Sequence, residues 1–162
     1  MPTPETAPEL DKKIRACLIK SRNCAQTSFA VLQEQFELDG DRVLKALTAF
    51  PGIALRCETC GAVTGSLMAL GLIFGREELD DEPGFLRAVT FARTFCQHFE
   101  NELGSTMCGS IQESKFGRRF DLLNPEQIAA WEAANPADKC SVVVGTGVRI
   151  AAEIINENRG KV

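Results

Sequence analysis

An uncharged segment from Thr59 to Gly75 limits the folds open to this chain more than any other feature. It contains no charged side chain, and Gly61, Gly65 and Ala69 recur every fourth residue. Residues four apart lie on one face of an α-helix, so this spacing predicts a helix with a face of small side chains. The segment is shorter than the roughly 20 apolar residues that cross a bilayer. We therefore expect a buried central helix, with no membrane contact.

Helix start and stop signals divide the rest of the chain into further helices. Each start carries an Asn, Asp or Pro that suits a first helical turn. These start residues are Asn23, Asp41, Pro83, Asn124 and Asp138. Residues 105–124 lack a clear apolar period and are expected to be irregular. The sequence predicts an all-α protein, a single-domain bundle of about six to seven helices around the Gly/Ala-rich central helix. We expect residues 1–8 to be a flexible N-terminus and residues 9–162 to form the single helical domain.

One segment argues against an all-helical chain. The run Val142-Val143-Val144 prefers a strand when taken alone, and the Gly145-Thr146-Gly147 that follows resembles part of a dinucleotide-binding fingerprint. A βαβ unit needs a second strand and a ribose-binding acid, and too few residues follow to provide them. We expect these glycines to let a helix pack closely on the Gly61–Ala69 face instead.

Charge and cysteine content narrow the function. The formal net charge is -4, which disfavours nucleic acids and anionic membranes as partners. The first residues lack the basic and apolar regions of a secretory signal, so a cytoplasmic location is expected. Disulfide frameworks are rare in that reducing compartment. The seven cysteines therefore indicate metal binding or catalytic thiols.

Four of the cysteines occupy positions that favour chemistry. Cys24, Cys60 and Cys140 lie at predicted helix N-termini, where backbone N–H groups and the helix dipole stabilise a thiolate. Cys108 lies in a turn-like Thr-Met-Cys-Gly-Ser segment whose backbone can also donate to sulfur. Four thiolates suit a [2Fe–2S] cluster or a tetrahedral zinc ion, and the spacing alone does not decide between them. Buried, inert cysteines are the remaining interpretation, and we expect it for the others on apolar helix faces.

The same residues resemble a known family. Asn23-Cys24-Ala25-Gln26, the block Cys60-Gly61-Ala62-Val63-Thr64-Gly65, a lone Cys108 and a lone Cys140 are similar to the redox-active proteins named for a C…GCAxxG…C…C pattern. The resemblance implies a helical fold, a redox role and a working set of Cys24, Cys60, Cys108 and Cys140. A related domain of split-Soret-type cytochromes favours iron–sulfur over zinc. The expected partner is a redox protein, and a homodimer is compatible with this role.

Cys57 departs from that pattern. It creates Cys57-Glu58-Thr59-Cys60, a Cys-x-x-Cys sequence at a helix start. Such a pair can cycle between dithiol and disulfide, although the βαβ context of thioredoxin-like proteins is missing here. Cys57 and Cys60 are thus the catalytic residues of an alternative hypothesis, a thiol–disulfide oxidoreductase. A metal-stabilised interaction module is the third hypothesis.

Overall fold

The structure, a computed structural model, describes residues 7–161 and contains helices but no strand in that range. The all-α prediction is therefore confirmed. The helices are α1 (Ala7–Ser21), α2 (Cys24–Phe36), α3 (Asp41–Ala46), α4 (Gly52–Leu55), α5 (Gly61–Phe74), α6 (Glu82–Leu103), α7 (Cys108–Phe116), α8 (Pro125–Ala133) and α9 (Pro136–Asn158). The nine helices of this range exceed the predicted six to seven because α4 is a single short turn and α7 was not expected.

The uncharged segment forms the central helix α5, as predicted. It packs against α2, α6 and α9, and most of its residues are buried. A Cβ on Gly65 would collide with the carbonyl oxygen of Ala25 in α2, so only glycine permits this approach. On the other side, a Cβ on Gly147 would lie 3.1 Å from the carbonyl oxygen of Ala62. Gly147 of α9 therefore does pack closely on α5, but the expected face is wrong: Gly147 meets α5 at Ala62 and Ser66, because α2 occupies the face at Gly61 and Gly65.

Most predicted helix starts are confirmed, with one exception. The Asn23 side-chain oxygen accepts a hydrogen bond from the backbone N–H of Gln26 at 3.0 Å, which caps α2. Asn124 caps α8 in the same way. The prediction that Asp138 caps the last helix is wrong, because α9 already begins at Pro136. The Asp138 carboxylate instead pairs with Arg15 of α1 at 2.6 Å.

Two further expectations concern the second half of the chain. Residues 105–124 were expected to be irregular, but Cys108–Phe116 forms α7. Its apolar pattern is too weak to predict, and burial of Ile111 and Gln112 stabilises it. The strand preference of Val142–Val144 is overridden because Val143 and Val144 are buried inside the long helix α9.

α1 begins at Ala7, and the predicted flexible N-terminus falls largely on residues 1–6, outside the described residues. Between residues 7 and 161, no helix combines the length and apolar character that crossing a bilayer requires.

Candidate functional site

Five cysteines line one cavity of about 540 Å³ at the end of the bundle where α2, α5 and α7 begin. Cys24 is the first residue of α2, Cys60 is the N-cap of α5 and Cys108 is the first residue of α7. Cys140 lies near the start of α9, and Cys57 precedes α5. The structure therefore brings together the four cysteines that the sequence singled out, with Cys57 beside them.

Cys24 is the cysteine best prepared to be a thiolate. A hydrogen bond from the Cys60 thiol is the main cause that lowers its pKa, and backbone N–H groups of Gly61 and Ala25 add to the effect. Burial opposes these contributions. The approach depends on Gly61, because a Cβ there would collide with the Cys24 sulfur. The start of α5 is thus shaped around this sulfur.

Cys60 has the opposite character. Its hydrogen bond to Cys24 raises its pKa well above the ordinary value, and burial and the nearby charge of Cys24 act in the same direction. A proton shared between two thiols stabilises the first thiolate and makes the second harder to form. Cys24 and Cys60 therefore behave as one thiolate–thiol pair.

A short backbone clasp fixes Cys60 and Cys108 relative to each other. The Cys60 N–H donates to the carbonyl of Thr106 at 2.8 Å, and the Cys108 N–H donates to the carbonyl of Glu58 at 2.6 Å. The Gly109 N–H donates to the carbonyl of Cys57 at 2.9 Å, so residues 57–60 pair antiparallel with residues 106–109. The clasp joins segments nearly fifty positions apart in the sequence, and it relies on main-chain atoms.

The segment before the clasp has an unusual backbone. Gly52, Ile53, Ala54 and Leu55 have φ values between 46° and 61°, and Cys57 has φ 60°. Consecutive left-handed residues other than glycine are costly, by roughly 1–2 kcal/mol each. Residues of the segment nevertheless line the cavity, and Gly52 lies close to the Cys108 sulfur. Strained backbone of this kind concentrates at functional sites.

Gln112 connects the remaining thiols and was missed by the sequence analysis. Its side chain is buried, and its Nε2 donates to the Cys108 sulfur at 3.4 Å while its Oε1 accepts from the Phe120 N–H at 2.8 Å. The Cys57 thiol donates to the Phe120 carbonyl at 3.5 Å. The available signal was a polar side chain four residues after Cys108, on the same helix face.

Burial dominates the titration of the other cavity cysteines. It raises the pKa of Cys108 to about 12, and the charges of Cys24 and Cys57 contribute in the same direction. Burial raises the pKa of Cys140 further, again with contributions from Cys24 and Cys108. The pKa of Cys57 is also raised, mainly by burial. In the absence of a cation, the cavity therefore favours one thiolate, on Cys24.

The cysteine arrangement suits the two metal hypotheses in donor chemistry but does not choose between them. Among residues 7–161, no group of three or more Cys, His, Asp or Glu side chains is arranged to hold a metal ion. Four thiols around one cavity are nevertheless the donor set of a tetrahedral zinc ion and of a [2Fe–2S] cluster. Either group would require the sulfurs to move together.

The other candidate residues lie elsewhere. Cys17 and Cys96 are outside the cavity lining, and Cys96 packs against the core, in line with the expectation of a structural role. Cys57 lies in the cavity lining, but its thiol is hydrogen-bonded to the Phe120 carbonyl. Its pairing with Cys60 remains a prediction.

Comparison with known proteins gives one positive finding. Residues 22–154 match the model of a family described as "Putative redox-active protein (C_GCAxxG_C_C)". The match spans all five cysteines of the cavity. No curated protein and no solved structure shows significant similarity to the chain.

Proposed function

The chain belongs to the C_GCAxxG_C_C redox-active protein family, and we propose that it is a small electron-transfer protein whose Cys24, Cys60, Cys108 and Cys140 hold a [2Fe–2S] cluster. One observation carries the proposal: thiols from four separate parts of the chain line a single cavity. The cluster would supply one-electron redox chemistry, exchanged with a partner protein.

Backbone N–H groups at the helix N-termini can stabilise the negative charge of thiolate ligands. Backbone N–H groups of Gly61 and Ala25 donate to the Cys24 sulfur, and such bonds stabilise the charge of a ligand thiolate. The Gln112 amide donates to the Cys108 sulfur in the same sense. These donors are preorganised, because the main-chain groups belong to helix starts and the Gln112 side chain is buried.

Loading requires the loss of several protons. Cys60, Cys108 and Cys140 all have raised pKa values, and a thiol must be deprotonated before it can bind iron. A bound cation reverses the local cost of thiolate formation. Cluster binding should therefore weaken as the pH falls, and the chain should hold its cluster better above neutral pH than below it.

Anaerobic purification tests the proposal directly. We expect about two irons and two sulfides per chain, with visible absorption that single replacement of any of the four cysteines by Ser abolishes. Cys17→Ser and Cys96→Ser are matched controls outside the cavity, and they should retain the absorption. Anaerobically prepared protein with neither iron nor visible absorption contradicts the proposal.

A second candidate function rests on a separate observation. The Cys60 thiol hydrogen-bonds to Cys24 and lowers its pKa, which is the arrangement of a reactive thiolate with an adjacent thiol. Oxidation of this thiolate–thiol pair by a disulfide acceptor would form one S–S bond in the chain and release one proton, while the S–S bond of the acceptor takes up two electrons and breaks to give a thiol and a thiolate. This is the thiol–disulfide hypothesis of the sequence analysis with a different partner for Cys60: Cys24 instead of Cys57.

Peptide mapping distinguishes the possible pairs. Metal-free protein treated with a mild thiol oxidant should lose two hydrogens and yield a Cys24–Cys60 cross-linked peptide. A Cys57–Cys60 peptide would support the Cys-x-x-Cys hypothesis instead. Recovery of unchanged thiols under these conditions would rule out both pairs.

A further inference from the structure

The cavity is larger than a cluster or a disulfide requires. Its volume of about 540 Å³ lies within the roughly 300–1,000 Å³ typical of small-molecule sites. Two irons and two sulfides would occupy only a small part of it, and electron exchange with a partner protein needs no enclosed space. The excess volume lies directly against the reactive sulfurs, so it calls for a separate explanation.

Most of the cavity wall is apolar. Its side chains come from α1, α7, α8 and α9, far apart in the sequence, and they include both aliphatic and aromatic residues. The aromatic part consists of Phe116 and Trp131, whose ring centroids are 4.8 Å apart. The aliphatic part includes Leu18, Ile111, Ile128 and Val144. Aromatic rings present flat apolar surfaces that favour another ring in an offset or edge-to-face arrangement.

The charged residues of the wall neutralise one another. Arg15 pairs with Asp138 at 2.6 Å, and Arg22 pairs with Glu132. These pairs join α1 and the residue after it to α8 and α9, on the solvent side of the cavity. The charged side chains of the wall therefore carry no excess positive charge for an anionic ligand, whereas an uncharged ligand needs no counter-charge.

We propose that this cavity binds an uncharged aromatic small molecule, with its ring against Trp131 and Phe116 and its other end at the cysteines. The ligand would lie against the sulfurs of the proposed redox site, so the proposal deepens the proposed function. Binding itself requires neither a cluster nor a disulfide. It can therefore be measured on reduced, metal-free protein, independently of any redox activity.

Two probes with one ring system test the ligand class. We would titrate the reduced, metal-free chain with 2-naphthalenemethanol and with 2-naphthoate, and measure binding by calorimetry. The alcohol should bind at least about tenfold more tightly than the carboxylate, because burying a charge without a free partner is costly. Equal or tighter binding of the carboxylate, or no binding of the alcohol, would overturn the proposal.

Two valines of α9 locate the binding site. Val144 lines the cavity and is 1% exposed, whereas Val142 is 53% exposed and is not part of the wall. Val144→Phe should fill space and weaken binding of the alcohol at least about tenfold, while Val142→Phe should leave it unchanged. Unchanged binding in Val144→Phe would place the probe elsewhere and contradict the proposal.

A third variant remains informative if Val144→Phe fails to fold. Trp131 is the only tryptophan of the chain, and α8, which carries it, has no buried residue. Trp131→Leu keeps the wall apolar but removes the larger ring, so a folded variant should bind the alcohol several-fold more weakly. Full affinity in this variant would refute the aromatic contact. Iron analysis of the wild-type chain decides the cluster proposal separately, whatever these titrations give.

Discussion

The two sides of the cysteine cavity are built by opposite means. On one side, which we call the packed wall, Cys24 and Cys60 lie at the starts of α2 and α5, and Gly61 and Gly65 bring these helices into direct contact. On the other side, the clasped wall, residues 52–57 and the start of α7 carry Cys57 and Cys108. The packed wall depends on close helix packing, whereas the clasped wall depends on hydrogen bonds and a left-handed backbone. Cys60 belongs to both walls, because its backbone N–H also joins the clasp, so the two ways of positioning sulfur meet at this residue.

The largest expected loss of stability comes from a substitution in the packed wall. Gly65→Ala would drive a methyl group into the Ala25 carbonyl, and α5 is too enclosed to move away. We expect the free energy of unfolding to fall by about 3 kcal/mol or more, measured by chemical denaturation. Gly71→Ala is the control in the same helix, since a Cβ there meets nothing within 4 Å. It should be neutral or stabilise by up to about 1 kcal/mol, and equal losses in both variants would refute the packing argument.

The next effect is the dependence of stability on alkaline pH through Cys108 of the clasped wall. In the folded chain the pKa of Cys108 is raised from 9.0 to about 12, so between these pH values the unfolded chain releases a proton that the folded chain keeps. Stability contributed by the protonated thiol is therefore complete below pH 9 and is lost progressively above it. Each proton corresponds to about 1.4 kcal/mol per pH unit. In this pH window the wild-type free energy of unfolding should fall with rising pH. Cys108→Ser should make that fall less steep, by up to about 1.4 kcal/mol per pH unit, the equivalent of one proton. An unchanged slope would contradict a raised pKa at Cys108.

The third effect tests the contact between Cys24 and Cys60 in the packed wall through thiol reactivity. Alkylation of Cys24 in reduced, metal-free protein should have a pH midpoint below 9.0, because its pKa is lowered chiefly by the Cys60 thiol. Cys60→Ala removes that donor, and the Cys24 midpoint should rise, as followed by mass spectrometry. Cys96→Ala, outside the cavity, should leave the midpoint where it was. If the Cys24 midpoint does not change in Cys60→Ala, the Cys60 thiol does not donate a hydrogen bond to the Cys24 sulfur.

The smallest effect tests the left-handed backbone. Ala54 is exposed with φ 57°, so Ala54→Gly should stabilise the chain by about 0.5–1 kcal/mol, because glycine adopts this conformation without strain. Ala16 is exposed in the middle of the right-handed helix α1, and the identical change there should cost about 1 kcal/mol. Thermal unfolding of the two variants should therefore shift in opposite directions. Destabilisation by both would argue against a left-handed turn at this position.

The packed wall could be predicted in part from the sequence, and the clasped wall could not. Glycines four apart predicted a face of small side chains on α5, and Asn23 before Cys24 predicted a helix start, because both signals are local. The helix that packs on this face is α2 and not the expected α9, because the choice of partner depends on contacts between distant segments. The positive φ values of Ile53 and Leu55 contradict their local preferences, so only tertiary contacts can enforce them. The clasp joins segments distant in the sequence, and no pattern within either segment indicates its partner.

The unpredicted helix α7 also affected which residues of the site could be predicted. The sequence predicts a turn-like segment at Cys108, yet this residue begins a helix, as Cys24 does. Because α7 was missed, its next turn was missed too, and with it Gln112, the residue that bonds to the Cys108 sulfur. The sequence singled out the four cysteines but left open whether they meet, and the structure places them around one cavity. The groups that set their proton affinities could not be predicted, because they come from segments distant in the sequence.

The backbone clasp also has a consequence for how the length of this chain can vary. Antiparallel pairing of residues 57–60 with 106–109 sets a register, and a one-residue insertion within either arm would turn its cysteine to the opposite face. An insertion in the exposed turn between α5 and α6, at residues 77–80, would leave the register intact. The spacing of cysteines to their neighbours in the clasp is therefore fixed, while the distance along the chain from Cys60 to Cys108 is free to change.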